Sequence, residues 1–460
     1  MYLDQADFCS LNDLLCAQRP SLYPVAFAEQ NTFSWMQFQA DIERFQTLLN
    51  QHNAEKIALC CANSYLFAVG FFAVCYANKR LVLPGNYQPE AVRELHSHFD
   101  LLLHDDRVPV VESVPSLLLN CSVEPLSKPT PYLWSPLDVD SVTLTLFTSG
   151  SSGKAKAIVK TLRQLDSEIA ILESLWGSQL TGSRIESTVS HQHIYGLLFR
   201  LLWPLCSGRP FAVHNLEFPE QLVHHASDDT VLISSPALLK RLSEEHDSAP
   251  LRAIFSSGGP LTHSAALHSQ ELFGSLPIEV FGSTETGGIA HRKQAVPTTP
   301  WRLFPSVEAQ LNSERCLRLR APHIDGDNWY QTADECHFHD TVCFELKGRT
   351  DRIVKVEEKR ISLVEVEKRL EQLDWIEESA VIPQSEGNRI ALCAVIVLTP
   401  AGEQEITRLG KGKFWIALRQ ALRNWLEPIA IPRKYRVVDE VPLNSQGKRQ
   451  VADIEKLFQS

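Results

Sequence analysis

The sequence predicts an α/β protein with a large N-terminal domain of mixed, mainly parallel sheets and a small α+β C-terminal domain. The first observation is length, because 460 residues exceed the size at which a single hydrophobic core stops growing. The second is the alternation of two kinds of segment. Short β-branched or apolar runs alternate with longer helical patterns through the first three-quarters of the chain, which is typical of parallel α/β architecture.

Three short apolar runs, each bounded by Asn, Pro, Gly or Ser, predict buried strands. They cover residues 56–60, 80–84 and 230–234. A longer apolar run over residues 57–76 approaches the length of a membrane span, but Asn63 and Ser64 interrupt it. This run therefore predicts a strand followed by a buried helix that begins near Asn63.

The pattern of apolar runs and helical segments changes near residues 348–351, and we predict a domain boundary there. The N-terminal domain would cover residues 1–350 and the C-terminal domain residues 351–460. In the smaller domain, a charged helix is predicted among short and long apolar strands. The predicted strands cover residues 353–356, 379–382 and 390–397, and the helix covers residues 363–373.

Composition excludes several classes of protein. A net charge of −11 argues against nucleic-acid binding and against adsorption to anionic membranes, because both need basic surfaces. The eleven cysteines form no CxxC pair or Cys/His cluster, which argues against a zinc site and favours unpaired thiols in a reducing cytoplasm. Residues 1–12 lack the basic start of a secretory signal. We therefore expect a soluble cytoplasmic protein without membrane insertion.

A run of five small residues at 149–153 predicts a loop that binds phosphate groups. It follows an apolar β-like run and leads into Lys154 and Lys156. Main-chain N–H groups and hydroxyls in such a loop can surround phosphate oxygens while a lysine neutralises their charge. Only two residues separate Gly150 from Gly153, and alanine follows Lys154. A Walker-type loop needs four residues and a following Ser or Thr, so a P-loop NTPase or kinase is disfavoured.

Four further segments carry groups suited to a nucleotide. In the first, an aromatic ring that could stack on a purine precedes a hydroxyl and a carboxylate suited to Mg²⁺. In the second, an aspartate follows a turn, and in the third an arginine lies at the domain boundary. In the fourth, a lysine lies on a turn of Asn, Ser and Gly. These segments are FGSTETG at 281–287, YQTAD at 330–334, GRTDR at 348–352 and PLNSQGK at 442–448.

Taken in this order, the motifs resemble those of the adenylate-forming superfamily, which includes acyl-CoA synthetases, peptide-synthetase adenylation domains and luciferases. The resemblance runs from about Asn63 to Lys448 and includes the softer segments 191–196 and 256–261. The general pattern is also similar to that of ligases that prime aryl polyene pathways. The resemblance implies ATP and Mg²⁺ as cofactors and a C-terminal domain that moves.

The resemblance also assigns a nucleotide site. The loop from Thr148 to Lys156 would hold the β- and γ-phosphates, Phe281 would stack on adenine, and Asp334 with Arg349 would bind the ribose. The residues assigned to ATP or AMP are Thr148, Ser149, Gly150, Ser151, Ser152, Gly153, Lys156, Ser257, Gly258, Phe281, Gly282, Asp334 and Arg349.

The catalytic residues that the resemblance implies are Lys448, Glu285 and Thr284. Thr284 and Glu285 would contact the α-phosphate, Glu285 would also bind Mg²⁺, and Lys448 would bridge the acid and the α-phosphate. Asp351 matches the position of the hinge between the domains. His193 and Tyr195 resemble residues that line the acyl pocket, and a packing role for His193 is equally open.

The implied activity is that of an AMP-forming acid–thiol ligase. It would convert an aryl or fatty acid to an acyl-adenylate with release of pyrophosphate, and then transfer the acyl group to the phosphopantetheine thiol of an acyl carrier protein. Free coenzyme A is the alternative acceptor. A non-catalytic nucleotide-binding regulatory protein is the alternative of another class, and a phosphoryl-transferring ATPase would give ADP instead of AMP.

Two features bear on the acceptor. Glu358 stands where many relatives have a glycine that lines the pantetheine tunnel, and glutamate permits a close backbone approach less easily than glycine. Residues 410–436 are locally basic and also carry an apolar stripe at a spacing of four, at Phe414, Leu418, Leu422 and Leu426. The basic segment is either a solvated face or a landing site for an anionic partner, and it favours a carrier protein over free coenzyme A.

Overall fold

The computed structural model describes residues 7–29, 31–85, 87–121, 133–149, 155–243, 248–356, 359–386, 389–426, 428–443 and 449–459. Contacts divide the chain into two compact units. Unit 1 comprises Met1–Glu308 and Arg320–Tyr330, and unit 2 comprises Ala309–Leu319 and Gln331–Ser460. The predicted boundary after residue 350 concerns the hinge about which the C-terminal domain would move, and it stays a prediction.

In the part of unit 1 that the structure describes, the strands form two sheets. Its strands are β1 (Pro24–Phe27), β2 (Thr32–Ser34), β3 (Lys56–Cys60), β4 (Arg80–Leu83), β5 (Leu101–His104), β6 (Ser116–Leu118), β7 (Thr143–Ser149), β8 (Ala155–Thr161), β9 (Arg184–Ser187), β10 (Phe211–Ala212), β11 (Thr230–Ser234), β12 (Ala253–Ser256), β13 (Ile278–Ser283), β14 (Gly287–Lys293) and β15 (Trp301–Leu303). The first sheet has the order β15-β14-β13-β12-β11-β9-β10-β1-β2, and its strands from β13 to β1 are parallel. The second has the order β6-β5-β3-β4-β7-β8, with only β8 antiparallel.

Helices connect these parallel strands. They are α1 (Trp35–Asn50), α2 (Ser64–Tyr76), α3 (Pro89–Glu94), α4 (Leu162–Trp176), α5 (Ile194–Gly196), α6 (Trp203–Cys206), α7 (Pro219–His225), α8 (Pro236–Leu239) and α9 (His263–Phe273). A π-helical stretch, Leu197–Leu202, joins α5 to α6. Helix α4 begins with a capping box in which Thr161 and Gln164 exchange hydrogen bonds between side chain and main chain.

Helix α2 is the buried helix that the sequence predicts. Asn63 caps it by accepting a hydrogen bond from the Leu66 main-chain N–H at 3.0 Å, and twelve of its residues, Ser64–Cys75, are buried. A Cβ on Gly70 would lie 2.7 Å from Leu59 Cδ1, so glycine allows the helix to pack closely on β3. Among the described residues, no helix has the length and hydropathy that a membrane crossing requires.

The described residues of unit 2 form nine strands and four α-helices. The strands are β16 (Glu308–Leu311), β17 (Cys316–Arg320), β18 (Tyr330–Phe338), β19 (Cys343–Arg349), β20 (Ile353–Val356), β21 (Lys359–Ser362), β22 (Ile376–Glu386), β23 (Arg389–Leu398) and β24 (Lys434–Val437). The helices are α10 (Leu363–Glu371), α11 (Pro400–Leu409), α12 (Lys411–Leu422) and α13 (Val451–Lys456). Strands β16-β17-β18-β19 are neighbours in that order, β20 pairs with β21, and β22-β23-β24 form a small sheet.

The predicted apolar stripe forms part of the core of unit 2. Phe414, Leu418 and Leu422 are fully buried on one face of α12, where they belong to the same cluster as Val366 of α10 and Ile396 of β23. Together with the sheets of unit 1, this arrangement confirms the predicted α/β fold with a smaller α+β part at the C-terminus.

Candidate active site

The ends of two parallel strands bring the first group of predicted residues together. Strands β12 and β13 pair in parallel, with Phe255 opposite Ile278 and Ser256 opposite Glu279. Ser257 and Gly258 follow β12, and the Ser257 hydroxyl donates to the Val280 carbonyl at 2.8 Å, directly before Phe281. Ligands of open α/β sheets bind beyond the carboxyl ends of the strands, which is where these residues lie.

A tight turn between β13 and β14 carries Thr284 and Glu285. The Ser283 main-chain N–H donates to Thr286 Oγ1 at 3.0 Å, and the Thr286 N–H donates to Ser283 Oγ at 3.2 Å. A Cβ on Gly282 would lie 2.0 Å from the Gly287 carbonyl oxygen, so the turn requires glycine at position 282. Thr284 is buried, whereas Glu285 remains partly exposed.

Strand β8 brings Lys156 to this turn. Strands β7 and β8 pair in antiparallel register on either side of the predicted phosphate loop, with Thr148 opposite Lys156. The Lys156 ammonium donates to Glu285 Oε1 at 2.6 Å, so a predicted phosphate ligand and the predicted Mg²⁺ ligand form an ion pair. Burial opposes ionisation of Glu285, but hydrogen bonds from Lys156, the Glu285 main chain and Ser283, together with the charge of Lys156, outweigh burial and lower the pKa of the carboxyl.

Behind the turn lies a cluster of three buried ionisable residues that the sequence analysis did not identify: Lys160 of β8, Glu168 of α4 and His323. Lys160 Nζ donates to the Glu285 carbonyl at 2.6 Å and to the His323 carbonyl at 3.3 Å. The one available signal was the spacing of Lys156 and Lys160, which places both lysines on the same face of a strand.

The other two members of this cluster bind Gly288. Glu168 Oε1 accepts a hydrogen bond from the Gly288 main-chain N–H at 2.7 Å. His323 Nε2 lies 2.9 Å from the Gly288 carbonyl, and burial lowers the pKa of the ring to about 4. The ring is therefore neutral at ordinary pH, and Nε2 carries the proton that it donates to the carbonyl.

Phe281 has an aromatic neighbour. Its ring centroid lies 5.3 Å from that of Trp301, and the Arg292 guanidinium lies 4.4 Å from the Trp301 ring centroid on the neighbouring strands. Phe281 is only partly buried and directly follows Val280, beside the turn that carries Glu285. A purine base can stack on such a ring.

The two predicted acyl-pocket residues lie where the chain enters α5. His193 is half-buried and directly precedes that helix. The Tyr195 ring centroid lies 4.9 Å from that of Phe199, and burial raises the pKa of the Tyr195 hydroxyl well above the usual range. His191, by contrast, is buried, with Nδ1 3.1 Å from Ser64 Oγ and Nε2 2.8 Å from the Cys61 carbonyl. It is a packing residue.

The predicted ribose ligands are neighbours within unit 2. Asp334 of β18 and Arg349 of β19 stand opposite each other in the antiparallel register, and Arg349 Nη1 donates to Asp334 Oδ1 at 3.3 Å. The Asp334 side chain is largely buried while nearly half of the Arg349 side chain is exposed. The arginine thus orients the Asp334 carboxylate.

Asp351 lies in a short 3₁₀ turn, Thr350–Arg352. The next residue, Arg352, is anchored by two hydrogen bonds to the buried Glu367 carboxylate, at 2.8 and 2.6 Å. Arg449 Nη1 lies 2.9 Å from the same carboxylate. The chain directly after Asp351 is therefore fixed to helix α10 of unit 2.

Several predicted residues lie outside the described part of the chain. They are Gly150, Ser151, Ser152, Gly153, Glu358 and Lys448.

The residues of unit 1 fit Mg²⁺ and a nucleotide polyphosphate. A hard cation prefers oxygen ligands, and Glu285 offers an ionised carboxylate beside the Thr284 hydroxyl. Lys156 offers a cation for the phosphate oxygens, and its ammonium already binds an anionic oxygen. Each residue would exchange its present partner for a group with the same sign of charge: Lys156 would bind phosphate in place of Glu285, and Glu285 would bind Mg²⁺ in place of Lys156.

Comparison with known proteins identifies the family of the chain. The family described as AMP-binding enzyme matches residues 16–315, and the AMP-binding enzyme C-terminal domain matches residues 365–448. A 4-coumarate–CoA ligase of Halorhodospira halophila is 26% identical over 324 residues, which make up 67% of this chain and 75% of that protein. A D-alanine–D-alanyl carrier protein ligase of Staphylococcus epidermidis is 24% identical over 366 residues, or 70% of this chain and 73% of that protein.

Among solved structures, the ATP-bound MatB of Rhodopseudomonas palustris is similar, with a TM-score of 0.77 and 16% identity over 98% of this chain and 99% of that one. This likeness confirms the fold. The first family match alone spans well over half of the sequence. The chain therefore belongs to the family of AMP-binding enzymes, as the order of its motifs predicts.

Proposed function

We propose that this enzyme converts a carboxylic acid and ATP to an acyl-adenylate and pyrophosphate, and then transfers the acyl group to a phosphopantetheine thiol. The observation that carries the proposal is the ion pair between Lys156 and Glu285 beside Thr284 and Phe281. It assembles a phosphate ligand, a metal ligand and an aromatic ring in one place. The family and its curated relatives support the prediction of an AMP-forming acid–thiol ligase.

In the first half-reaction, a carboxylate oxygen bonds to the α-phosphorus and the bond to the pyrophosphate breaks. Two unit charges about 4 Å apart repel by roughly 4 kcal/mol at an effective dielectric near 20. Lys448 is the proposed cation between the acid and the α-phosphate, and Lys156 would bind the departing pyrophosphate. A Mg²⁺ ion on Glu285 would neutralise phosphate charge as it develops.

In the second half-reaction, the thiol sulfur attacks the acyl carbonyl and AMP leaves. We propose that the C-terminal domain turns about Asp351 between the two steps, which withdraws Lys448 and admits the thiol. Because Arg352 is anchored to Glu367 of α10, the chain directly after Asp351 would move together with that helix.

We propose an acyl carrier protein as the acceptor, with free coenzyme A as the alternative. A cavity of about 160 Å³ in unit 2 is lined by Arg419, Arg423 and Arg433 together with Pro428, Ile431 and Pro432. Three arginines around one small cavity offer positive charge to an anion such as a phosphate or the carboxylates of an acidic helix. The two kinds of acceptor named by the curated relatives, coenzyme A and a carrier protein, keep both possibilities open.

The decisive experiment for the first half-reaction is a screen for pyrophosphate release with Mg²⁺-ATP across benzoates, cinnamates and fatty acids. We expect release with an aryl or fatty acid, and AMP as the nucleotide product. No release with any acid would leave the regulatory alternative, and ADP as the product would indicate phosphoryl transfer.

The decisive experiment for the acceptor is a loading assay that offers holo acyl carrier protein and coenzyme A in parallel. We expect faster loading of the carrier protein, and a loss of that preference in Arg423→Glu. Arg408→Glu is the matched control, because Arg408 lies on α11 and pairs with Glu405 outside the cavity. Faster turnover with coenzyme A would reverse the assignment.

We place both reactions in the cytoplasm, which supplies ATP and either thiol.

A further inference from the structure

Glu285 is held by two lysines of the same strand. Lys156 binds its carboxylate at 2.6 Å, and Lys160 binds its main-chain carbonyl, also at 2.6 Å. The two lysines lie four residues apart on β8 and face the same side of the sheet. Their surroundings differ, because the Lys156 side chain is about half exposed whereas Lys160 is almost fully buried.

The exposure of these lysines separates their roles. Lys156 can release Glu285 when phosphate oxygens and a metal ion replace the two partners of the ion pair. Lys160 donates to two carbonyls in the protein interior, those of Glu285 and His323, where no ligand can replace it. Its hydrogen bonds therefore remain when the carboxylate of Glu285 changes partner.

Glu168 and His323 fix the other end of the same turn. They bind the main-chain N–H and carbonyl of Gly288, at 2.7 and 2.9 Å. Packing is tight here, since a Cβ on Gly287 would lie 2.1 Å from Glu168 Oε2. Buried ionisable groups are costly unless they are hydrogen-bonded, and here their partners are main-chain groups of the turn that carries Thr284 and Glu285.

We propose that Lys160, Glu168 and His323 are positioning residues that hold the turn at residues 283–288 in place while Glu285 transfers from Lys156 to a metal ion. This inference rests on the proposed adenylation reaction and adds residues outside the family motifs. Because ligand geometry around Mg²⁺ is strict, a displaced turn would weaken metal binding and misplace the α-phosphate.

The test compares Lys160→Met with wild type and with Lys79→Met. Lys79 is the matched control, because its ammonium also donates to a main-chain carbonyl, that of His52 at 2.9 Å, but away from the site. Calorimetric titration measures ATP affinity with and without Mg²⁺, and pyrophosphate exchange gives kcat and the KM for the acid. We expect Lys160→Met to lose most of the Mg²⁺-dependent gain in ATP affinity and about tenfold to hundredfold in kcat, with an unchanged KM for the acid.

A second pair of variants keeps the proposal testable if Lys160→Met does not fold. Glu168→Gln retains an oxygen that can accept from Gly288, whereas Glu168→Ala does not, so the glutamine variant should recover most of the kcat that the alanine variant loses. The proposal is overturned if Lys160→Met matches Lys79→Met in both measurements, or if the two Glu168 variants are equally active. If wild type binds Mg²⁺-ATP but releases no pyrophosphate, the proposed reaction fails while the affinities still test the positioning role.

Discussion

At the scale of single residues, the Lys156–Glu285 ion pair gives the first prediction. Glu285→Gln keeps the size of the side chain and removes the charge that would bind a metal ion. We expect a loss of about a hundredfold in pyrophosphate exchange and a higher Mg²⁺ requirement. Glu308→Gln is the control, because Glu308 forms an ion pair with Arg320 at the same 2.6 Å on the surface. Equal activity of the two variants would contradict the assigned role of Glu285.

Glu168 gives a prediction about pH. Burial raises the pKa of this carboxyl from 4.5 to about 7, although the Gly288 N–H and Lys160 oppose the shift. Between these values the unfolded chain releases a proton that the folded chain keeps, so wild-type stability falls as the pH rises from about 4.5 to about 7. Removing the ionisable group in Glu168→Gln removes this contribution.

We expect the free energy of unfolding of Glu168→Gln, relative to that of wild type, to rise by up to about 3 kcal/mol between about pH 5 and about pH 8. Urea unfolding across this range measures it. Glu308→Gln serves as the exposed control. Parallel pH profiles for Glu168→Gln and wild type would show that Glu168 is ionised throughout.

At the scale of elements, the turn between β13 and β14 depends on Gly287. Its φ of +66° disfavours other residues, and an added Cβ would press on the Glu168 carboxylate. Gly182 is a close match, with a φ of +69° and nothing within 4 Å of the position of a Cβ. Gly182→Ala should cost about 1 kcal/mol from the backbone alone.

We expect Gly287→Ala to lower the free energy of unfolding by a further ~1–3 kcal/mol, which is the range typical of overpacked sites, and to lower pyrophosphate exchange. Urea unfolding and the exchange assay measure the two effects. A stability loss equal to that of Gly182→Ala would mean that the turn and Glu168 can separate without cost.

Elements with strong local signals were predictable from the sequence. Asn63 marks the start of α2, and the runs at β3, β4 and β11 were identified because short apolar stretches end at polar or turn residues. The order of strands was not predictable, since it depends on pairings between distant segments. The neighbours β12 and β13, which bring Ser257 beside Phe281, are separated by helix α9.

At the scale of the whole molecule, the two half-reactions should be separable by mutation. Lys448→Ala should cripple adenylate formation and spare thioester formation from supplied acyl-adenylate, because the lysine is assigned to the first step alone. Single-turnover assays of each step measure this. Equal loss of both steps would refute the proposed rotation of the C-terminal domain.

Asp351→Pro should have the opposite effect. Proline fixes φ and would stiffen the proposed pivot, so the second step should slow while adenylate formation is retained. The same pair of single-turnover assays applies. Unchanged overall turnover would count against Asp351 as the hinge.

For the molecule as a whole, the family motifs indicate residues for a nucleotide site, which stays a prediction, but they do not indicate the groups that support those residues. Lys156, Thr284 and Glu285 belong to recognisable sequences, and Asp334 and Arg349 were expected to act together and are neighbours in register. Lys160, Glu168 and His323 come from three separate segments and are charged or polar residues in a core. Composition rules place such residues on the surface, and apart from the spacing of Lys156 and Lys160 the sequence carries no signal that brings them together.

The ion pair between Lys156 and Glu285 has a consequence for the departure of pyrophosphate. A carboxylate 2.6 Å from the ammonium is a tethered competitor for any anion bound there, and a tethered group acts at a high effective concentration. When the pyrophosphate and its metal ion begin to leave, Glu285 can rebind Lys156 at once and prevent recapture. The residue pair that we propose for nucleotide binding would thus also make the release of the first product difficult to reverse.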